Sequence, residues 1–480
     1  MQVGEAPPER HPRRFLRIGC LVVAVVALAA ASVYVIHGRK VAARAAGEVA
    51  ERCGAVEREW QGRRGDRPVI FGGDAVDGNA AELYLQAVEG LGRIGEKKST
   101  AAYGMMASRW PQKPQRLRAV EAELRWSRPG RALVDRGLSL KTCDFAAELG
   151  DDRTSGAREF ARRLPEIEHS LMYLGRMTGV EVNRLQALGR SDEAAEVCLM
   201  GLAFAGDLGR GGGVRAIALS LGLEHDLSGA LVTLVVGGRL TSRGYASVAG
   251  KLLEIDRSRA TVADAFRAER AVFCEWARRT AGGLGFVPKP VELDRDVLGS
   301  APIGTTQALS AGALAERWEK IDEWYGRTIE LAGERPLELR SEWPLMGLAL
   351  GRLRLDPIVA VATRAVPQAV DNAVEARVTR RGLAICAALM RWQAGKGAFP
   401  EDLSQMVPEY LAELPIDPAS GKSFVYRPPQ GDEKGDMLLY SVGLDGKDDG
   451  GKLPFMPEKG TAFGGDILFR LKGRAQSKSP

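Results

Sequence analysis

Phe399-Pro400-Glu401-Asp402-Leu403, Val407-Pro408-Glu409-Tyr410-Leu411 and Leu414-Pro415-Ile416-Asp417-Pro418 follow one another closely. Two apolar-aromatic runs come next, Phe424-Val425-Tyr426 and Leu438-Leu439-Tyr440-Ser441-Val442. Gly443-Leu444-Asp445-Gly446 and Gly465-Asp466-Ile467-Leu468-Phe469 close the stretch. Runs of this kind, bounded by Gly, Pro and Asp, predict a β-hairpin with a third strand at Ile467. Ahead of them, Pro357 to Ala394 reads as a long helix, bent at Pro367 and stopped by Gly395-Lys396-Gly397. Residues 357–480 are therefore expected to form a long helix plus a small α+β module with a short antiparallel sheet.

The chain outside this stretch reads as helix. Ala, Leu, Arg and Glu dominate its middle, and these are good helix formers. With 480 residues there is room for two or three domains. A hydrophobic content of 45% and a charged content of 27% exclude a wholly disordered chain. The net charge of +6 is spread among interspersed acids and bases, so no nucleic-acid partner is expected. The six cysteines contain no CxxC pair, which excludes zinc-ribbon and thioredoxin-type motifs. Buried free thiols are expected instead.

Ile18 to Ile36 carries no charged residue. As a helix it would span about 28 Å, close to a bilayer core. Arg10, Arg13, Arg14 and Arg17 precede it, and Arg39, Lys40 and Arg44 follow. The expectation is a transmembrane helix at 18–36 in contact with the lipid bilayer. Residues 1–17 would be cytoplasmic and the bulk of the chain extracytoplasmic, in the periplasm. The alternative is a signal peptide cleaved at Ala29-Ala30-Ala31, giving a secreted protein. Val33-Tyr34-Val35-Ile36 continues the apolar run past that point and favours the anchor.

Residues 41–356 are expected to form a large, irregular helical domain. Helices are predicted over Val41–Arg63, Asn79–Leu91, Pro114–Trp126 (ended by Pro129-Gly130) and Arg158–Leu188, the last kinked or split at Pro165. Ser191 is expected to cap Asp192–Leu208 after the corner Gly189-Arg190-Ser191, making an αα-hairpin. Val214–Val236 reads as a buried helix pair. Thr241 and Thr261 start the next two helices, Thr261 with Asp264 as a capping box. Gly282–Gly304 reads as a linker, and Ala308–Leu331 as a helix packed through Trp318 and Trp324. Pro336 to Pro344 reads as a second break. No repeat at a fixed period is present, so a regular solenoid is not expected.

Catalytic motifs are missing: there is no GxSxG, HExxH or Walker sequence, and no catalytic residue is assigned. Glu168-His169 and Glu224-His225-Asp226 are adjacent residues on helices, which diverge to different faces. A cell-envelope hydrolase acting on peptide or glycan is the alternative, with acid–base groups drawn from Glu166, Glu168 and Glu224. The candidate metal ligands are Asp445, Asp448, Asp449 and Asp466, hard carboxylates among Gly446, Gly450 and Gly451. Calcium takes six to eight such oxygens, some from backbone. An EF-hand fails, because Lys447 and Met456 stand at its third and twelfth positions. The bland reading is a solvated acidic turn.

A helix ending at Lys396-Gly397-Ala398-Phe399-Pro400 leads here to Pro408-Glu409-Tyr410-Leu411 and Leu414-Pro415-Ile416-Asp417-Pro418. Tyr426, Leu439-Tyr440-Ser441-Val442-Gly443-Leu444-Asp445-Gly446 and Asp466-Ile467 follow. In these residues the chain resembles the periplasmic part of the major pseudopilin of type II secretion, over roughly Arg380 to Phe469. The resemblance implies a long helix, a turn, a small antiparallel sheet and a structural calcium ion. Asp445 and Asp466 match the family's calcium ligands, and Asp448-Asp449 its paired aspartates. In that family the apolar segment opens this same long helix. Here it lies hundreds of residues upstream, and no Glu follows Gly19-Cys20 closely, so pilus-type processing and polymerisation are not implied. The overall layout resembles bacterial membrane-anchored proteins, a likeness that carries no activity. The expected function is an interaction or scaffold protein with a protein partner in the cell envelope. An accessory component of a type II secretion or pilus-like system is a further alternative.

Overall fold

Pro12–Gln61 forms one unbroken 50-residue helix, α1, in the computed structural model of the chain. The structure describes residues 12–63, 65–72, 76–108, 114–292, 306–334, 338, 342, 366–429, 437–451 and 465–471. In the first half of α1, Val26, Leu28, Val33, Tyr34 and Ile36 are exposed. In the second half, Ala42, Ala45, Val49, Cys53, Val56 and Trp60 are buried. That spacing of three or four residues is one helical face. The N-terminal helix is long and apolar enough to cross a membrane. Its buried half shares a core with Phe266, Phe273, Trp276, Trp318 and Tyr325. The Phe273 and Trp318 rings stack there, with centroids 5.3 Å apart.

The rest is mainly α. Helices α2 (Ala80–Leu91), α3 (Glu96–Met106), α4 (Pro114–Gly137), α5 (Phe145–Leu149) and α6 (Arg153–Ala187) come first. Then follow α7 (Ser191–Leu208), α8 (Val214–Val236), α9 (Ser242–Ser258), α10 (Val262–Gly283), α11 (Ala311–Glu334) and α12 (Val366–Lys396). Short strands β1 (Val76–Asn79) and β2 (Leu140–Thr142) pair in parallel. At the C-terminus β5 (Val425–Arg427), β6 (Met437–Ser441) and β7 (Ile467–Leu471) form the expected antiparallel sheet, in the order β5-β6-β7. A second core joins Leu171, Leu199, Leu227, Leu252 and Leu389 of the helices to Leu439 and Phe469 of that sheet. The Phe469 ring reaches α12 at Gly382, where an added Cβ would lie 2.3 Å from it. Only glycine permits that approach.

Several expectations need correcting. Helix α4 does not end at Pro129 but runs through it. A proline inside a helix removes one backbone hydrogen bond. Arg131 Nη2 (3.2 Å) and Ser127 Oγ (3.3 Å) donate to the Leu124 carbonyl, adding side-chain bonds to the segment without replacing the amide that the Arg125 carbonyl loses at Pro129. Packing against Leu174 of α6 at Gly130 holds the segment in place. Helix α6 likewise passes Pro165 without a break, and it begins at an Asp152/Ser155 capping box. Ser191 is not the cap of α7: it lies inside the helix, and Arg190 holds the capping position without a side-chain bond. Val214–Val236 is a single helix, not a pair. Within Gly282–Gly304, β3 (Lys289–Glu292) pairs antiparallel with β4 (Thr306–Leu309), so that region is not wholly a loop. Ala308 is in β4, and the helix starts after Ser310, whose Oγ accepts from Ala313 N at 3.2 Å. The Thr261/Asp264 capping box of α10 is present as expected. Pro336, Pro344 and residues 357–365 lie outside the described residues.

Candidate functional site

Helices α8, α9 and α12 meet through a buried ion-pair network. Arg377, Arg380 and Arg381 are three and four residues apart on α12, so they share a face. Arg380 donates to Asp256 Oδ1 from Nε (3.0 Å) and Nη2 (2.9 Å), and from Nη1 to Glu224 Oε1. Arg381 Nε donates to Asp256 Oδ2 at 2.8 Å and its Nη1 to the Ile416 carbonyl at 2.6 Å. Arg377 reaches Asp256 at 3.5 Å. Arg259, just past α9, pairs with Glu224 at 2.7 Å and donates to Ser220 Oγ at 2.8 Å. Burial raises the Asp256 carboxyl, but the Arg380, Arg381 and Arg377 guanidiniums more than offset this and hold it below its usual range. Burial lowers Arg259 to about 10, with Glu224 opposing and Arg380 assisting.

The network divides two clefts. On one side a basic cleft of about 340 Å³ is lined by Arg257, Arg259, Arg377, Arg380 and Arg381, and by Asp256 and Asp417. Ile217, Leu221, Val370 and Val374 give it an apolar wall. On the other side a mainly acidic cleft of about 740 Å³ is lined by Glu224, His225, Asp226, Asp371 and Glu375, with Arg176 and Leu444 also in its wall. Burial and the Asp371 carboxylate push Glu375 up, while His225 pulls it down. Asp226 is paired with Arg176 at 2.8 Å.

The carboxylates singled out from sequence as acid–base groups are thus placed apart in role. Glu224 is buried between Arg380 and Arg259. Glu168 is paired with Arg215 at 3.0 Å, and Glu166 is exposed. The cluster at His225 does gather around Glu375 and Asp371, which sequence reasoning did not name. Its signal is thin, because α12 supplies those acids from more than a hundred residues away.

The aspartates at the C-terminus are only partly brought together. Asp466 is buried and accepts from Gly451 N at 2.6 Å and from Asp449 N at 3.4 Å. Burial, with the Asp448 and Asp449 carboxylates, raises its carboxyl against the pull of those two amides. Asp448 Oδ1 accepts from Gly450 N (2.8 Å) and Tyr440 OH (2.9 Å), which lower it. Asp445 accepts from Lys447 N at 3.0 Å within its own turn. Among the described residues, no group of three or more His, Cys, Asp or Glu converges to hold a metal. Residues 452–464 of this loop, Met456 included, lie outside the described residues. The turn itself has a geometric reason: Gly443 takes φ 69°, and an added Cβ would lie 2.1 Å from the Gly465 carbonyl oxygen.

Asp417, from the Leu-Pro-Ile-Asp-Pro element, ties the module together. Its Oδ1 accepts from Ala419 N (3.0 Å) and from Ser441 Oγ of β6 (2.8 Å), and Oδ2 accepts from Ser420 Oγ (2.9 Å). It also lines the basic cleft. The module therefore borders both clefts, through Asp417 on one and Leu444 on the other. The five cysteines Cys53, Cys143, Cys198, Cys274 and Cys386 are free and buried. No protein-family model, curated protein or solved structure matches the chain.

Proposed function

We propose that the chain is a single-pass membrane-anchored, extracytoplasmic interaction protein. Its helical body would present ligand clefts close to the bilayer, and its pseudopilin-like C-terminal module would be stabilised by calcium. The supporting observation is the continuity of α1. The exposed apolar residues Val26 to Ile36 pass without a break into a half whose face is buried in the body. A continuous helix transmits orientation, whereas a Gly- or Ser-rich linker would not. Phe286 from the segment after α10 packs on the same turn. An added Cβ at Gly38 would meet its ring at 2.7 Å, and its centroid is 5.8 Å from that of Tyr34. That places an aromatic pair at the end of the apolar run, where aromatic belts sit.

The test is carbonate extraction of membranes followed by protease treatment of spheroplasts. The expected result is a membrane-retained chain whose body is digested from outside while its N-terminus is protected. Release of a soluble chain beginning after Ala29-Ala30-Ala31 would overturn the anchor. For the interaction role, cross-linking in intact cells is expected to capture a defined envelope protein through the helical body or the C-terminal module. Recovery of the chain alone counts against it.

A second reading, a cell-envelope hydrolase acting on peptide or glycan, is favoured by one observation. The acidic cleft places Glu375, Asp371 and His225 together in about 740 Å³. A carboxyl raised by burial is suited to general acid work. Turnover of cell-wall fragments abolished by Glu375→Gln, with unchanged melting, would establish this reading in place of the first.

A further inference from the structure

We propose that the basic cleft binds a small organic anion, a carboxylate or phosphate head carrying a short apolar tail. The inference rests neither on the membrane anchor nor on the calcium loop. Its volume of about 340 Å³ lies at the low end of small-molecule sites.

Charge makes the first argument. Five guanidiniums line or border the cleft, those of Arg257, Arg259, Arg377, Arg380 and Arg381. Three carboxylates answer them: Asp256 and Asp417 in the wall and Glu224 behind Arg380. Two positive charges are left over, those of Arg257 and Arg377 on the more exposed side of the cleft, where they are open to an incoming anion.

Availability makes the second. Glu224 and Asp256 are already engaged by Arg259, Arg380 and Arg381. Asp417 accepts three hydrogen bonds within its own module. An incoming cation therefore meets no open carboxylate. An incoming anion meets Arg257, which has no ion-pair partner among the described residues and is exposed. It also meets Arg377, whose side chain is 46% exposed and whose bond to Asp256 is a long 3.5 Å. A guanidinium fork matches a carboxylate or phosphate edge in two parallel bonds.

The apolar wall makes the third. Ile217 and Leu221 of α8 face Val370 and Val374 of α12, and all four are buried. Their side chains give a tail something to pack on, which a bare inorganic ion would leave unused.

The experiment uses the full chain in a nonionic detergent and titrates four probes by calorimetry and thermal melting. These are hexanoate, hexyl phosphate, hexylammonium and inorganic phosphate. The expected result is saturable one-to-one binding of hexanoate or hexyl phosphate, with no binding of hexylammonium. Tighter binding of hexyl phosphate assigns the head to phosphate esters, and tighter binding of hexanoate to carboxylates. Arg377→Ala with Arg257→Ala is expected to weaken the anion about 10-fold or more. Arg377→Lys should restore part of that loss. If the double variant melts early, Arg257→Gln alone serves, because that side chain supports no ion pair among the described residues. Inorganic phosphate binding as tightly as hexyl phosphate would remove the tail and overturn the proposal. Equal binding of hexylammonium would also overturn it, as would no saturation by either anion up to about 10 mM, beyond weak millimolar affinity.

Discussion

The α8–α9–α12 network and the aspartate loop at 445–466 are both clusters of acidic groups, and they are neutralised in opposite ways. In the network, Glu224 and Asp256 are answered by Arg380, which lies 156 and 124 residues away in the chain, and Glu224 also by Arg259. In the loop, Asp445, Asp448 and Asp466 are answered largely by backbone N–H groups within 17 residues. The loop can satisfy its carboxylates locally, with Gly450 and Gly451 supplying amides that turn inward. A buried helix surface has no spare amides, because its backbone groups are already paired along the helix. Its acids need side-chain cations, and those come from whatever helix packs opposite. Density in the sequence therefore marks the weaker cluster, and the stronger one is dispersed.

Breaking the network should have the largest effect. Arg380→Ala removes the guanidinium that bridges two buried carboxylates, leaving Glu224 to Arg259 and Asp256 to Arg381 and Arg377, and is expected to destabilise the chain by about 3 kcal/mol. Urea unfolding of the full chain measures this. A loss below about 1 kcal/mol would mean the pairs are solvated and the contrast with the loop is false.

An intermediate case sharpens the comparison. Glu269 of α10 is half-buried, and it is answered by a backbone amide, Val214 N at 2.8 Å. Burial raises its carboxyl from 4.5 to about 7, and that single bond only partly opposes the shift. Between those values the folded chain holds a proton that the unfolded chain has released. Stability from this group is therefore present below about pH 4.5 and is lost as pH rises through about 7. The loss approaches about 3 kcal/mol by the usual conversion. Glu269→Gln should flatten the stability–pH profile between pH 5 and pH 8 and melt higher than the parent at pH 8. An unchanged slope would show that one amide suffices to hold a half-buried carboxylate charged.

The loop should respond to calcium. A metal at a hundredfold excess over Kd stabilises by about 2.7 kcal/mol. Melting with and without chelator is expected to show a calcium-dependent rise, lost in an Asp445→Ala and Asp466→Ala double variant. No shift in either would leave the aspartates as an amide-capped turn, the state their hydrogen bonds already describe. Removing Asp445 alone in the absence of calcium should matter least. It accepts one bond from Lys447 N on a partly exposed turn, and a change within about 0.5 kcal/mol is expected. A larger loss would show that the turn holds the sheet in place.

The legible parts share one property. The exposed apolar face of α1, the Thr261/Asp264 capping box and the hairpin at Val425–Ser441 are each written within a few residues. Asp417, buried under Ser441, belongs to the same Leu-Pro-Ile-Asp-Pro element that drew attention in the sequence. What failed also shares a property. Pro129 reads as a helix end and Pro165 as a kink or split because local propensity says so, but both helices continue through their prolines, where packing outweighs one lost hydrogen bond in each. Ser191 reads as a cap, yet Asp192 beside it accepts from Thr241 N at 2.9 Å and ties the corner to α9.

The sequence by itself determined a mainly α chain, an apolar helix able to cross a bilayer and a three-stranded C-terminal sheet. Hydrophobic periodicity and turn residues act over one or two turns of chain, so they can be read without a fold. Only the tertiary structure decided that α8, α9 and α12 share buried charges, that a basic and an acidic cleft lie on either side of them, and that the C-terminal module borders both. Those features depend on which side chains meet across more than a hundred residues. Packing alone selects such meetings, because a buried charge takes the partner that geometry brings within about 4 Å.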